Sequence, residues 1–229
     1  MGTLENKMEV EVFETKERVL ADNDKAAADT RALMRGQRTL LINLMGSPGA
    51  GKTSVLSRVI PALSEYKIGV MEADVDSDVD ARTVAALGAR VIQLHTGGLC
   101  HMDADMTRRG LDRMGIEGLD AVFLENIGNL VCPAEFEIGA DLRMTILSVP
   151  EGDDKPLKYP LMFTISDLVV VNKLDTAAIF DFDIDAFKSR VLALNPNAEI
   201  IAISAKTGDG CEELSAFLRA LIEKRRRGE

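Results

Sequence analysis

The sequence predicts an α/β fold: a doubly wound, mostly parallel sheet of about seven strands with helices on both faces. Apolar segments with strand character recur along the 229 residues, and helical patterns lie between most of them. Several of these segments are apolar almost throughout, as parallel strands covered on both faces are. Such alternation produces right-handed βαβ units, whose ligands collect at the carboxyl ends of the strands.

The elements follow one another at short intervals. Strands are predicted at residues 39–45, 67–73, 89–94, 120–126, 142–149, 166–173 and 198–204. Helices are predicted at residues 52–65, 78–88, 103–114, 183–194 and 210–226. An earlier helix is predicted over residues 12–35, so we expect an N-terminal helical flank (1–38) packed on a single domain (39–229).

Composition narrows the function classes. A formal charge of −10 argues against a nucleic-acid partner, and no apolar run is long enough to span a bilayer. The first thirty-five residues mix acidic and basic groups and do not resemble a signal peptide. Three unevenly spaced cysteines form no disulfide framework, which favours a reducing cytoplasm.

A phosphate-binding loop is predicted between the first strand and the helix after it. The run "GSPGAGKT" fits the pattern G-x-x-x-x-G-K-[ST]. Glycines let successive backbone N–H groups turn toward an anion, and Lys52 and the Thr53 hydroxyl then serve the phosphates and Mg²⁺. The predicted nucleotide-binding residues of this loop are Gly46, Ser47, Gly49, Ala50, Gly51, Lys52, Thr53 and Ser54.

Two later segments predict guanine as the base. A carboxylate at Asp175 in "NKLD" can accept both the N1–H and the N2 amino protons of guanine, a donor pair that adenine lacks. The segment "SAKTG" follows the last strand, and in this order the three segments resemble the G-domain of GTPases. The predicted base-binding residues are Asn172, Lys173, Asp175, Ser204, Ala205 and Lys206.

Carboxylates near the phosphate loop are candidates for Mg²⁺ and for hydrolysis. Glu125 opens "ENIG", where many GTPases have D-x-x-G, and no glutamine follows to position a water molecule as in Ras. The segment "DVDSDVDAR" adds Asp74, Asp76, Asp78 and Asp80, of which some can instead cap the next helix. A calcium loop is excluded because the required glycine and closing glutamate are missing. We expect slow intrinsic turnover, with Lys52 and Glu125 among the catalytic residues.

A soft-ligand cluster is the least ordinary feature. Cys100 and His101 are adjacent, and Cys132 lies four residues after the "ENIG" motif. A buried free cysteine and a hydrogen-bonded histidine are the simpler alternative. Two thiolates and an imidazole suit zinc or nickel and not Mg²⁺. A helix that Asp103 caps is expected to favour the thiolate form, and water or a second subunit would supply the fourth ligand.

Taken together, the segments resemble one family closely. "GSPGAGKT", "ADVDSDVDA", "TGGLCHMDA", "FLENIGNLVCPAEFEIG", "VPEGDDKPLKYP" and "VVVNKLD" are similar to the hydrogenase nickel-incorporation GTPases, the HypB family, from about residue 40 to 221. The resemblance implies a SIMIBI-like P-loop GTPase that assists nickel insertion into [NiFe]-hydrogenase and dimerises with GTP. It also implies zinc or nickel bound by Cys100, His101 and Cys132 near the dimer interface.

The same resemblance implies finer roles. The implied partners are a second copy, a small HypA-like nickel and zinc metallochaperone, and the precursor of the hydrogenase large subunit. Asp80 would orient water or Mg²⁺, Thr53 and Asp74 would serve the Mg²⁺ site, and Lys158 would reach the nucleotide of the partner copy. Residues 1–38 contain no cysteine or histidine, so the nickel-storage segment of some family members is not expected.

Three alternatives stay open at this point. A urease accessory GTPase shares the nucleotide motifs, but its cysteine and histidine lie in one Cys-Pro-His tripeptide. A P-loop kinase would have little use for "NKLD" and would need an arginine-rich lid segment. A scaffold that GTP locks without turnover is the third, and products formed from GTP would separate it from the others.

The base pocket yields the first testable prediction. The substitution Asp175→Asn should weaken GTP binding and improve xanthosine triphosphate binding, because xanthine replaces the N2 amino group with a carbonyl that needs a donor. A competition titration with the two nucleotides measures the change. An unchanged preference would remove Asp175 from the base pocket.

Overall fold

The computed structural model describes residues 15–74 and 79–229, and within them a seven-stranded sheet carries the chain. The strands are β1 (Leu40–Gly46), β2 (Ile68–Asp74), β3 (Arg90–His95), β4 (Ala121–Glu125), β5 (Leu142–Ser148), β6 (Leu168–Asn172) and β7 (Glu199–Ala202). Their order across the sheet is β3-β2-β4-β1-β5-β6-β7, and every neighbouring pair is parallel. The predicted fold is confirmed, with each of the seven predicted strands present.

The helices connect these strands. They are α1 (Thr15–Gly36), α2 (Lys52–Ala62), α3 (Val79–Ala85), α4 (Ala104–Met114), α5 (Cys132–Glu135), α6 (Lys155–Lys158), α7 (Pro160–Ile165), α8 (Ala177–Phe180), α9 (Ile184–Leu194) and α10 (Cys211–Arg226). The sequence predicted the longer ones and missed the four short helices α5 to α8. Two of the predicted carboxylates, Asp76 and Asp78, and residues 12–14 of the first helix lie outside the described residues.

Local signals explain where the longer helices begin and end. The Asp103 carboxylate accepts a hydrogen bond from the Met106 amide (2.8 Å), and Gly115 ends α4. Asp183 caps α9 in the same way, through the amides of Asp185 and Ala186. Such caps satisfy N–H groups that have no partner within the helix.

The core fills both faces of the sheet. Alternate residues of β1 face opposite sides: Ile42 and Leu44 join the cluster under α2 and α10, whereas Leu41 packs under α1 and α4. Met45 faces the same side as Leu41 but packs beneath α7 and α9. Burial on both faces is what the almost continuous apolar runs predicted. No helix in the described ranges is both long enough and apolar enough to cross a membrane.

Helix α1 is attached to the rest of the chain by specific contacts. The Asn23 amide donates to the Glu137 carbonyl (2.8 Å) and accepts from the Ala104 amide (2.9 Å). Arg31 pairs with the Glu137 carboxylate, and Met34 is fully buried. The helix therefore packs on the main domain, while the division at residue 38 stays a prediction.

The close approach at Gly139 provides a test of this attachment. A Cβ on Gly139 would lie 2.6 Å from the Ala27 carbonyl oxygen of α1, and the residue has a φ of +83°. Gly139→Ala should therefore lower the free energy of unfolding by about 1 to 3 kcal/mol beyond the backbone strain alone. Gly118→Ala is the matched control, because Gly118 has a similar φ of +73° and open space around it. Urea denaturation of both variants measures the difference in the free energy of unfolding. Equal losses in the two variants would mean that α1 can move away from residue 139 at no cost.

Candidate functional site: phosphate loop, base cavity and thiol cluster

All predicted site segments follow the carboxyl ends of strands and share one edge of the sheet. The segment with Cys100 and His101 follows β3, and "ENIG" follows β4. The phosphate loop follows β1, and the two base-binding segments follow β6 and β7. Because the strands are parallel, the segments that follow them lie side by side in the order of the strands. Along this edge the thiol cluster comes first, followed by the carboxylates, the phosphate loop and the base cavity.

The carbonyl groups of the phosphate loop are held from outside. The Asn129 amide donates to Gly46 O (3.1 Å), Lys173 Nζ to Gly49 O (2.6 Å), and Asn172 Nδ2 to Ala50 O (3.0 Å). Two glycines are required by space: a Cβ on Gly46 would collide with the Ile146 carbonyl oxygen, and one on Gly51 would lie 2.5 Å from Asn172 Nδ2. With its carbonyls bound outward, the loop presents N–H groups to an anion.

A cavity of about 520 Å³ lies over the phosphate loop. It is lined by Gly49, Gly51, Lys52, Thr53, Ser54, Asp74, Asp80, Glu125, Pro48, Ile127 and Gly128. The Thr53 hydroxyl donates to Glu125 Oε1 (2.9 Å). Loop residues and the candidate carboxylates Asp74, Asp80 and Glu125 therefore meet in one space, as the spacing of the motifs led us to expect.

A carboxylate that the sequence interpretation missed lies next to two of these lining residues, Asp80 and Glu125. Ligand oxygens of Glu72, Asp80 and Glu125 lie within 4.8 Å of one another. Glu72 belongs to β2 and is only 3% exposed, and one oxygen each of Glu72 and Glu125 is buried without a hydrogen-bond partner. The available signal was a single acidic residue within the otherwise apolar segment "KIGVMEA".

Burial changes the acidity of this pair. Desolvation, reinforced by the nearby Glu125 carboxylate, raises the pKa of Glu72 to about 10, and Lys52 opposes that rise. Desolvation also raises the pKa of Glu125, against hydrogen bonds from Glu72 and Thr53 and the charge of Lys52. The raised pKa values favour a proton on this pair of carboxyl groups in the metal-free protein.

A second cavity, of about 550 Å³, adjoins the first at Ser54 and is lined by residues of both base-binding segments. Ser204 Oγ donates to Asp175 Oδ1 (2.7 Å), which fixes the carboxylate at the cavity wall. The Lys206 ammonium lies 3.9 Å from Asp175 Oδ2. Lys173, Asp175, Ala205 and Lys206 are thus brought together as predicted.

Asn172 lines the base cavity and also bonds to both loops. Its side chain is 1% exposed and lies between the two loops, where Nδ2 donates to Ala50 O and Oδ1 accepts from the backbone amide of Ala205 (3.1 Å). One N–H and one acceptor position of the carboxamide are therefore used within the protein. Asn172 connects the phosphate loop to the base-binding segment.

The three soft ligands form a compact cluster. Cys100 Sγ lies 2.8 Å from Cys132 Sγ and 3.8 Å from His101 Nδ1, and one ligand atom from each residue falls within 4.8 Å of the others. The His101 ring stacks on Phe136 with a centroid separation of 3.9 Å. Cys100 is exposed, and Cys132 is half-buried at the start of α5. The pattern and the geometry agree on these three residues.

The surroundings shift the acidity of two of these ligands. The neighbouring Cys132 thiol and desolvation raise the pKa of Cys100, which opposes the thiolate form in the metal-free cluster. Desolvation lowers the pKa of His101 despite Asp103 and Glu135, which favours the neutral imidazole that binds metals.

Asn129 connects the thiol cluster to the phosphate loop. Its backbone N–H donates a hydrogen bond to Gly46 O. Its side chain donates from Nδ2 to Cys100 O (3.3 Å) and accepts at Oδ1 from the backbone N–H of Val131 (2.9 Å). Gly128 packs directly against Pro48 of the loop, where a Cβ would lie 2.9 Å from the proline nitrogen. The segment after β4 thus touches both sites at once.

Comparison with known proteins settles the family. The model of the CobW/HypB/UreG nucleotide-binding domain matches residues 40–202. The chain belongs to the HypB family. A crystal structure of hydrogenase maturation factor HypB from Archaeoglobus fulgidus is 38% identical, with a TM-score of 0.83 over 89% of this chain and 100% of that one. HypB from Helicobacter pylori, solved in complex with nickel, is 35% identical, with a TM-score of 0.84 over 90% of this chain and 96% of that one.

This chain matches only part of the length of one curated HypB relative. Hydrogenase maturation factor HypB of Azotobacter chroococcum is 41% identical over 87% of this chain, which spans 66% of that protein's length. The family match, from β1 to β7, covers the phosphate loop, both thiol segments and Asp175.

Lys158 is the predicted residue that the structure separates from both cavities. At the end of α6 it pairs with Asp154 Oδ2 (2.5 Å), and its side chain is 59% exposed. The pair joins residues four apart in the sequence, a spacing at which opposite charges on a helix meet. An exposed pair of this kind contributes little and is readily exchanged for another anion.

The buried pair of carboxyl groups predicts a pH dependence of stability. Because the folded state keeps a proton on Glu72 that an unfolded glutamate loses above its usual pKa of 4.5, stability should fall as the pH rises from there toward 10. Glu72→Gln should unfold at a higher temperature than the wild type at about pH 9, with a smaller decline from about pH 6.

Thermal unfolding without Mg²⁺ or nucleotide measures this effect. Glu213→Gln, on the exposed face of α10, is the control and should decline as the wild type does. If Glu72→Gln shows the same decline as well, the carboxyl pair is not the source of the pH dependence.

Proposed function

We propose that this chain is a slow GTP-hydrolysing maturation factor that assists nickel insertion into [NiFe]-hydrogenase. The observation that carries the proposal is the Cys100–His101–Cys132 cluster, which lies beside the phosphate loop of a HypB-family nucleotide domain. A nucleotide domain alone would serve many functions, whereas soft ligands joined to it through Asn129 suit a metal that is held and then released.

The nucleotide is proposed to be GTP. The Asp175 carboxylate, held by Ser204, matches the N1–H and N2 donors of guanine, and Lys173 and Lys206 lie on the same cavity wall. The phosphate loop receives the phosphates on its N–H groups, and Lys52 gathers the charge that develops on the transferred phosphoryl oxygens. The base and the phosphates would then occupy the two adjoining cavities.

Mg²⁺ fits the residues present. Thr53, Asp80, Glu125 and Glu72 would hold it, directly or through water, because two of these carboxylates carry buried oxygens without a partner. When bound, the ion supplies positive charge to the β- and γ-phosphates. Glu72 and Glu125 would give up a proton when they hold the cation, and Asp80 and Glu125 are proposed to position the attacking water. Asp74 lines the same cavity and is the alternative carboxylate.

Nickel or zinc is the proposed cargo of the thiol cluster. Cys100, Cys132 and neutral His101 supply three ligands, and a tetrahedral site then has one position left for water or for a ligand from another protein. An incomplete site releases its metal more readily than a closed structural one does. This property favours transfer over storage.

The assembly is proposed from the same family. The chain would dimerise in the GTP state in the cytoplasm, receive or pass on metal through a HypA-like metallochaperone, and act on the precursor of the hydrogenase large subunit. In that dimer Lys158 would leave Asp154 for the nucleotide of the partner copy. Its exposed position on α6 allows such an exchange.

Metal affinity and nucleotide state are expected to be coupled. Zn–S bonds are about 2.3 Å long, and displacements of about half an ångström weaken such sites. Any movement of the segment after β4 between the two states would shift Cys132 relative to Cys100. Metal affinity should then differ by about tenfold between the GDP state and a GTP-analogue state, or about 1.4 kcal/mol. Calorimetric titration of nickel and zinc into each state measures it.

Two variants sharpen this experiment. Cys132→Ala should abolish the difference and still bind GTP, whereas Cys211→Ala should keep it, since Cys211 is a half-buried thiol outside the cluster. Equal metal affinities in the two nucleotide states of the wild type would make the cluster a structural site and overturn the delivery function.

A further inference from the structure

The backbone segment Ser204–Gly208 is organised by a side chain that no motif includes. Arg58, in the middle of α2, donates from Nε to Ala205 O (2.6 Å) and from Nη2 to Lys206 O (2.7 Å). Two successive carbonyl groups are thus bound by one planar guanidinium. Arg58 also lines the base cavity, so this contact forms part of its wall.

The orientation of two carbonyls fixes the orientation of the next two N–H groups. In a planar trans peptide the C=O and the following N–H point in opposite directions, and cis peptide bonds are absent from the described residues. Because Ala205 O accepts a hydrogen bond from Arg58 of α2, the Lys206 N–H of the same peptide points away from α2. With Lys206 O on Arg58, the Thr207 N–H points away too, and it donates to Ser204 Oγ (3.1 Å).

A count of donors in this segment singles out one group. The Ser204 amide donates to Asp209 O, the Ala205 amide to Asn172 Oδ1, and the Gly208 amide to Ser204 O. Together with the Thr207 amide, four of the five N–H groups from residue 204 to 208 have acceptors. Only the Lys206 N–H has none among the residues that the structure describes.

The O6 atom of guanine is the acceptor that a bound base would bring close to the Lys206 N–H. The N2, N1 and O6 positions of guanine follow one another along one edge, so a carboxylate that takes N2 and N1 leaves O6 beside it. Ser204 Oγ donates to Asp175 Oδ1 (2.7 Å), and the side-chain ammonium of Lys206 lies 3.9 Å from Asp175 Oδ2, so the segment that holds Ser204 and Lys206 adjoins this carboxylate. O6 therefore falls next to the segment whose free donor is the Lys206 N–H.

We infer that Arg58 is a specificity-determining positioning residue, which holds the Lys206 N–H toward the O6 atom of a guanine nucleotide. The inference rests on the proposed guanine specificity. Arg58 itself does not bind the base, and it acts through the peptide between Ala205 and Lys206. Without it, the two carbonyls would turn toward water, and the N–H would lose its direction.

A double comparison of protein and ligand tests this role. GDP and 6-thioguanosine diphosphate share the N1–H and N2 groups and differ at O6, where sulfur is a weaker acceptor. Arg58→Ala should lower GDP affinity by about tenfold and that of the 6-thio analogue by less than about threefold, since the lost hydrogen bond is already weak there. Arg58→Lys, which keeps the charge but not the fork, should fall between.

Arg219→Ala is the matched control. Arg219 also donates to a backbone carbonyl near α2, Ala62 O (2.8 Å), but lies outside the base cavity. Both affinities should stay as in the wild type. Lys206→Ala, which keeps the backbone N–H, should retain the preference for GDP over the analogue.

The outcomes separate this inference from the function on which it rests. Equal losses for the two nucleotides in Arg58→Ala, or no loss for either, would overturn the inference and leave guanine specificity intact. A wild type that binds ADP as tightly as GDP would overturn the proposed GTP specificity itself.

Discussion

The outward orientation of the phosphate-loop carbonyls is the constraint on which the sites depend. A loop that binds phosphate through its N–H groups must place its C=O groups elsewhere, and buried carbonyls need donors. Here the donors come from the ends of two other strands: the Asn129 amide after β4, and the side chains of Asn172 and Lys173 at the end of β6. The segment after β4, which carries Cys132, and the segment after β6, which carries Asp175, are therefore joined to the loop by the same hydrogen bonds that shape it.

The order of the strands explains why the sites lie in a row, and the hydrogen bonds connect neighbouring sites. Parallel strands deliver their following segments to a single edge, and the strand order fixes which segments are neighbours. Asn129 lies between the loop and Cys100, whereas Asn172 lies between the loop and Ala205. Each asparagine uses both its donor and its acceptor, so each side chain has a single orientation that satisfies it.

The sequence predicted most of the fold because the strands are almost continuously apolar and the longer helices have clear caps such as Asp103. The short helices α5 to α8 escaped because a stretch of four to six residues shows no full helical period. Glu72 was not predicted as a site residue because only the pairing of β2 with β4 places it opposite Glu125. Contacts between distant segments, such as Arg58 with Ala205, carry no local pattern at all.

The separation of the two thiols has a consequence for oxidation chemistry. The sulfur atoms of Cys100 and Cys132 are 2.8 Å apart, and Cys100 is exposed to solvent. Sulfur atoms so placed need little movement to join, and any exchange with a low-molecular-weight disulfide would be followed by rapid closure within the cluster. A soft metal bound by both sulfur atoms, as proposed, would also protect the pair from this cross-link.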